Sequence, residues 1–135
     1  MSHAIIRRLF ETALDDANLE LDVAYENIEY VPVTNKPYLT VALMPYDTFT
    51  ATLKGSDHTA FVGLFQVKVV IPEHTGVDGI DTIIERLRDV YPTDIIFNQD
   101  NFWVQVVTPI SAQTGRIQNS NWVVPCYFEY RADTN

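Results

Sequence analysis

The sequence predicts an α+β domain in which two helices pack on one face of a mostly antiparallel sheet. Two segments, 2–17 and 77–91, repeat their apolar residues with the spacing of an amphipathic helix, and they lie far apart in the chain. Between and after them, the pattern changes to short runs of alternating or β-branched residues. Several connections between these runs are too short for the crossovers that parallel strands need.

Length and composition favour one folded unit. The chain has 135 residues, of which 47% are hydrophobic, and these include seven Phe, seven Tyr and two Trp. This is enough large side-chain area for a buried core, but the chain is too short for two full cores. We therefore expect a single domain over residues 1–135.

Two helices are predicted from their apolar stripes. The first runs from Ser2 to Ala17, and its stripe consists of Ile6, Leu9, Phe10, Ala13, Leu14 and Ala17. The second runs from Val77 to Tyr91. It ends before Pro92, because the proline ring and the missing amide are incompatible with a continuing helix.

Five longer strands and one short strand are predicted around the helices. They run from Val23 to Tyr30, Tyr38 to Tyr46, Phe61 to Ile71, Phe102 to Thr108 and Trp122 to Arg131, with the short strand from Asp94 to Phe97. Pro125 removes one ladder hydrogen bond from the last strand, so we expect an edge position or a bulge there. The connections from Asp47 to Ala60 and from Pro109 to Asn121 are long, and long connections are commonly functional or mobile.

Charge and cysteine content exclude several classes of function. Nine Lys and Arg against eighteen Asp and Glu leave a formal charge of −9, and no basic block is present. Such a surface repels phosphate backbones, so a nucleic-acid-binding protein is not expected. A lone cysteine, Cys126, excludes a disulfide scaffold and a Cys-rich zinc site. The first residues contain no apolar block of the length that a signal peptide or membrane span needs, so we expect neither.

No catalytic arrangement is visible in the sequence. The three histidines are scattered, and no nucleophile elbow accompanies them. Cys126 lies in an alternating strand, where the expected role is that of a small buried apolar side chain. The enzyme hypothesis left open is a hydrolytic or metal site built from His74, Asp94 and Asp100, although their spacing matches no metal motif. We therefore predict no catalytic, cofactor-binding or metal-ligating residues.

The long connections are the candidate contact sites. Residues 48–53 alternate polar and apolar side chains, which suits either a projecting hairpin arm that exposes Phe49 and Leu53 to a partner or a meander folded onto the core. Trp122 is either a sheet-face residue or an exposed interface anchor. The candidates for a subunit or tube interface, chosen by loop length and side-chain type, are Phe49, Leu53, Lys54, Arg116, Ile117 and Trp122.

Several short motifs follow one another through nearly the whole chain. They are Ala24-Tyr25-Glu26-Asn27, Lys36-Pro37-Tyr38-Leu39, Gly63-Leu64-Phe65-Gln66-Val67, Leu87-Arg88-Asp89-Val90-Tyr91-Pro92, Thr108-Pro109 and Trp122-Val123-Val124-Pro125. In their order and spacing the chain resembles the phage tail terminator-like proteins of long non-contractile tails, the minor tail proteins that cap the tail tube.

This resemblance implies a structural virion protein and no enzyme. It implies a homo-hexameric ring on the end of the tail tube, which stops tube polymerisation and presents a surface for head-tail completion proteins. DNA would pass through the lumen without specific binding, and no membrane is involved. The ring would assemble in the cytoplasm of the bacterial host and stay at the neck of the virion. No cofactor is implied, although divalent cations could aid assembly.

Two other functions stay open at this point. The first is a different ring protein of the virion neck, such as a head-tail completion or connector protein, which would share the small size and the α+β sheet. The second is the small metal-dependent enzyme described above. Binding to the head portal alone would favour the first, and a stoichiometric metal ion would favour the second.

Overall fold

The fold is known from a computed structural model, which describes residues 3–26, 28, 30–32, 36–46, 49–50, 59–72, 78–99, 102–118 and 120–134. Within these residues there are two α-helices and nine β-strands, so the predicted α+β class is confirmed. In chain order they are α1 (His3–Ala17), β1 (Asp22–Ala24), β2 (Tyr38–Pro45), β3 (Phe49–Thr50), β4 (Thr59–Pro72), α2 (Asp78–Val90), β5 (Ile96–Gln99), β6 (Phe102–Val106), β7 (Ser111–Ala112), β8 (Arg116–Gln118) and β9 (Asn121–Thr134).

The nine described strands form one sheet. Its main order is β1-β2-β4-β9-β6-β5, while β3 pairs with β4, and both β7 and β8 pair with β9. The β1 and β2 strands are parallel, and the other pairs are antiparallel, as predicted for most of the sheet. The long strands β4 and β9 form the central pair, in register from Ala60 opposite Asp133 to Pro72 opposite Asn121.

Both helices pack on one face of this sheet. Alternate strand residues turn their side chains toward that face and form a common core with the helices. Helix α1 buries Ile6, Phe10 and Leu14 against that face. The Phe10 ring lies 5.2 Å from the ring of Phe128 and 5.9 Å from that of Tyr91, measured between centroids. The Tyr91 hydroxyl donates a hydrogen bond of 2.6 Å to the Phe10 carbonyl, which joins the end of α2 to α1 inside the core.

The predicted strand from Val23 to Tyr30 is wrong for most of its length. Strand β1 ends at Ala24, and a turn follows in which the Ile28 amide donates to the Tyr25 carbonyl. The Glu26 carboxylate joins this turn to the sheet. It accepts a 2.7 Å hydrogen bond from the Leu43 amide of β2, so the segment after β1 is held against β2.

Of the two positions predicted for Pro125, an edge or a bulge, the edge is wrong, since β9 has neighbours on both sides. The registers of β7 and β8 place three residues, 113–115, opposite two residues of β9, 124 and 125. This is one extra residue on the neighbouring side, as in a bulge. The Pro125 carbonyl accepts from the Gln113 amide on that side. Since N and O of one strand residue face the same neighbour, the missing Pro125 amide faces the interruption and breaks no regular ladder.

The other predicted strands are present with shifted ends. The strand predicted from Phe102 ends at Val106, and the last strand extends to Thr134. The short strand predicted from Asp94 begins at Ile96. Both long connections contain short strands, since β3 lies in the first and β7 and β8 lie in the second.

Candidate interaction surfaces

Four of the six predicted interface residues lie within the described part of the chain, and they fall near opposite ends of β4. Phe49 lies in β3, which pairs with β4 at Ala60. Arg116 lies in β8, opposite Val123 of β9, and Val123 is itself opposite Val70 of β4. Ten residues of strand separate these two positions on β4, which is about 34 Å at 3.4 Å per residue. Phe49 and Arg116 are therefore far apart along the sheet, and their roles in an interface stay predictions.

Phe49 is the predicted residue that the structure describes near the start of β4. Phe49 pairs with Ala60 and Thr50 pairs with Thr59, so the backbone does return along β4. Leu53 and Lys54 lie outside the described residues. The exposed arm therefore stays a prediction.

Strand β8 forms an exposed edge of the sheet. All three residues of β8 are exposed, and Ile117 presents 57% of its surface to solvent. On its other side, β8 pairs with none of the strands that the structure describes. Arg116 forms no ion pair with any described residue. An open strand edge of this kind is a template for contact with another chain.

Trp122 supports this edge from beneath. It is half-buried, packs against the core, and lies opposite Ile117 in the ladder. A Cβ on Gly115 would stand 2.5 Å from two atoms of the indole ring, which means that the backbone before β8 rests directly on the tryptophan. The side chain thus lies on the sheet and positions β8, and its role in an interface stays a prediction.

Charge is distributed unevenly across the sheet. Residues 101–128 contain no Asp or Glu, and Arg116 is their sole charged side chain. This stretch supplies β6, β7, β8 and the first half of β9. The opposite edge of the sheet, at β1, is acidic. Its exposed carboxylates are Asp15, Asp16, Glu20 and Asp22. The pattern is visible in the sequence, but it gains meaning only once the strand order places the two stretches at opposite edges.

The end of α1 increases the negative potential at the β1 edge. Asp15 and Asp16 lie in its last turn, which contains no basic residue. The helix dipole is negative at that end, so α1 itself supplies no compensating charge there. A nearby cation is Arg86 of α2, which donates a hydrogen bond of 3.4 Å to the Leu19 carbonyl. A cavity of about 270 Å³ opens beside it, and Asp15, Glu20 and Asp22 contribute to its lining.

Glu26 is a structural residue that the sequence analysis did not identify. Its carboxylate accepts from Arg7 Nε at 3.1 Å as well as from the Leu43 amide. One side chain therefore joins α1, β2 and the segment after β1. Only its place in a motif, Ala24-Tyr25-Glu26-Asn27, pointed to it in the sequence.

Of the groups considered for catalysis, Cys126 and Asp94 lie within the described residues. Burial raises the pKa of Cys126 to about 11, with an opposing influence from Arg88, so the thiol is protonated and enclosed at neutral pH. No group of three His, Cys, Asp or Glu side chains could hold a metal within the described part of the chain. Asp94 is exposed, whereas His74 and Asp100 lie outside the description, so the metal hypothesis stays untested.

None of the described helices is long and apolar enough to span a bilayer.

Comparison with known proteins covers almost the entire chain. Residues 3–130 match a family model described as phage tail terminator protein. A solved protein chain, whose name states no function, has 29% sequence identity and a TM-score of 0.79. That similarity covers 98% of this chain and 96% of the other. None of the curated proteins matches significantly.

Proposed function

Since the chain belongs to the phage tail terminator family, we propose that it forms a homo-hexameric ring on the end of the phage tail tube. The ring stops tube polymerisation and presents the surface to which head-tail completion proteins attach. The observation that supports this proposal is the family match over residues 3–130. The role is structural, and it needs neither a cofactor nor a catalytic residue.

The acidity of the chain is compatible with the passage of DNA through such a ring. Six copies of charge −9 give a ring of formal charge −54. A lumen of negative potential repels the phosphate backbone, so the duplex slides through without adhering. This is the reverse of what a DNA-binding ring would need.

Tube growth in the presence of the protein tests the proposal. Purified tail tube protein is polymerised with and without the chain, and tube lengths and tube ends are measured by negative-stain electron microscopy. We expect shorter tubes with a ring at one end. Tubes of unchanged length with bare ends would contradict the proposal, and binding to the head portal alone would favour a neck protein instead.

The concentrated protein alone is the simpler first sample. Light scattering and negative-stain imaging at low salt, at high salt and with magnesium would show six-membered rings with a central hole. If the chain is monomeric in all these conditions, the ring needs the tube as a template, and the tube experiment then decides.

A further inference from the structure

The two edges of the sheet carry opposite charges on one row of residues. Arg116 of β8 is opposite Val123, which is opposite Val70, which is opposite Tyr38, and Tyr38 is the register partner of Asp22. Partners in register turn their side chains to the same face. Arg116 and Asp22 are therefore the two ends of a single cross-strand row on the face opposite the helices.

The two charges cannot meet within one copy of the chain. Five strands separated by about 4.8 Å place them roughly 19 Å apart, which is beyond the screening length of about 8 Å at physiological ionic strength. Asp22 accepts a hydrogen bond from the Tyr30 hydroxyl at 3.1 Å. Neither Asp22 nor Arg116 forms an ion pair with any described residue. Among the described residues, the charges of Arg116 and Asp22 are thus both available to a partner outside the chain.

From this juxtaposition we propose that copies of the chain join head to tail, with the β8 edge of one copy against the acidic β1 edge of the next. A closed ring requires such a heterologous contact, in which each copy contributes two different surfaces. The occupant of the β8 edge is thus a second copy of this chain. Arg116 faces Asp22, and Glu20 and the end of α1 add negative potential around it.

Two further features of the β8 edge suit a neighbour of charge −9. No carboxylate occurs in residues 101–128, so this edge adds no negative charge of its own against another copy. Ile117 supplies exposed apolar surface in the same short strand. The inference rests on the proposed ring, and it specifies which surfaces close it.

Charge reversal tests the contact. The Arg116→Glu variant places a carboxylate opposite Asp22, and the Asp22→Lys variant places an ammonium opposite Arg116. Because like charges repel at close range, each variant should need at least about tenfold more protein for half-assembly. Sedimentation velocity gives this concentration, for the protein alone or on tail tubes, whichever supports assembly of the wild type.

Mixing the two variants is the decisive measurement. In a ring that alternates them, half of the contacts join the introduced carboxylate of one variant to the introduced ammonium of the other, and the remaining half join the native Arg116 to the native Asp22. Every contact therefore again pairs opposite charges. We expect the mixture to assemble within about threefold of the wild-type concentration, although neither variant does so alone. A misfolded variant could not be rescued by mixing, so recovery separates a lost contact from a lost fold.

Matched controls exclude general effects of charge. Arg8→Glu changes the net charge by the same amount on α1 and should leave assembly within about twofold. Tyr30→Phe removes the hydroxyl that donates to Asp22 without altering the charge, and assembly should again be unchanged. Wild-type assembly by either charge-reversal variant, or a mixture no better than its components, would overturn the inference. A wild type that forms rings neither alone nor on tubes would instead refute the proposed function.

Discussion

Gly63, which has no side chain, allows β4 to lie unusually close to β2. A Cβ at this position would lie 2.5 Å from the Met44 carbonyl oxygen and 2.8 Å from the Pro45 Cα, both backbone atoms, and 2.6 Å from the Tyr130 hydroxyl. Two neighbouring strands cannot move apart without losing ladder hydrogen bonds. We expect Gly63→Ala to lower the free energy of unfolding by about 1–3 kcal/mol, as measured by chemical denaturation.

The matched control is Gly79→Ala in α2. No atom lies within 4 Å of a Cβ there, and alanine favours the helix over glycine, so this variant should be more stable by about 0.5–1 kcal/mol. Equal stability of the two alanine variants would show that β4 and β2 are not in such close contact.

Buried titratable side chains predict loss of stability in alkali. Burial raises the pKa of Cys126 to about 11 and that of Tyr130 to about 12, from ordinary values of 9.0 and 10.0. At pH 7 both groups are protonated in the folded and unfolded states, and the unfolded thiol begins to ionise as the pH approaches 9. Above pH 9 the unfolded chain loses these protons first, so the free energy of unfolding falls until the folded groups also ionise.

Denaturation midpoints at pH 8, 9 and 10.5 measure this decline. The Cys126→Ala variant should show a shallower decline between pH 9 and 11, because one of the two groups is absent. Thiolate absorbance that appears near pH 9 in the folded protein would contradict the burial of Cys126.

At the scale of elements, the hairpin between β3 and β4 is the predicted arm. We expect the double variant Phe49→Asp with Leu53→Asp to fold but not to assemble, because carboxylates are costly to desolvate in a packed interface. Circular dichroism reports folding, and sedimentation reports assembly. Loss of folding in this variant would place the segment in the core.

Leu14→Ala in α1 is the control for a loss of folding, since it changes the core of the single chain and not the predicted arm. Leu14 is buried in the stripe that faces the sheet, so the cavity should cost about 2–5 kcal/mol of stability. Assembly should then fail only where the monomer itself unfolds. Leu9, from the same stripe, is half-buried and should cost less.

At the scale of the whole molecule, net charge opposes assembly. Copies of charge −9 repel one another over the Debye length, which shortens from about 30 Å at 0.01 M salt to about 8 Å at 0.15 M. We expect association to strengthen over this range of salt and with divalent cations, as measured by light scattering. Steady weakening with added salt would mean that attraction between opposite charges dominates even at long range.

Sequence periodicity was sufficient to predict the position and the buried face of those helices and strands that have a strong apolar pattern. The stripes of α1 and α2 and the alternation of β2 and β4 depend on neighbouring residues, so their positions and their common buried face were predictable. Strand β1 was predicted too long because Glu26 forms its contacts with Arg7 and Leu43, which are distant in sequence. For Pro125 an edge position and a bulge both stayed open, because the interruption opposite it belongs to another segment of the chain.

The amino-acid sequence by itself determined the α+β class, the net charge, the lack of a recognisable catalytic motif and the family resemblance, since each of these depends on composition or on local order along the chain. Tertiary structure alone decided which residues share a surface. It placed Phe49 and Arg116 near opposite ends of β4, and it placed Arg116 and Asp22 at the two ends of one row. The physical reason is that strand order and register arise from long-range pairing, which no local pattern records.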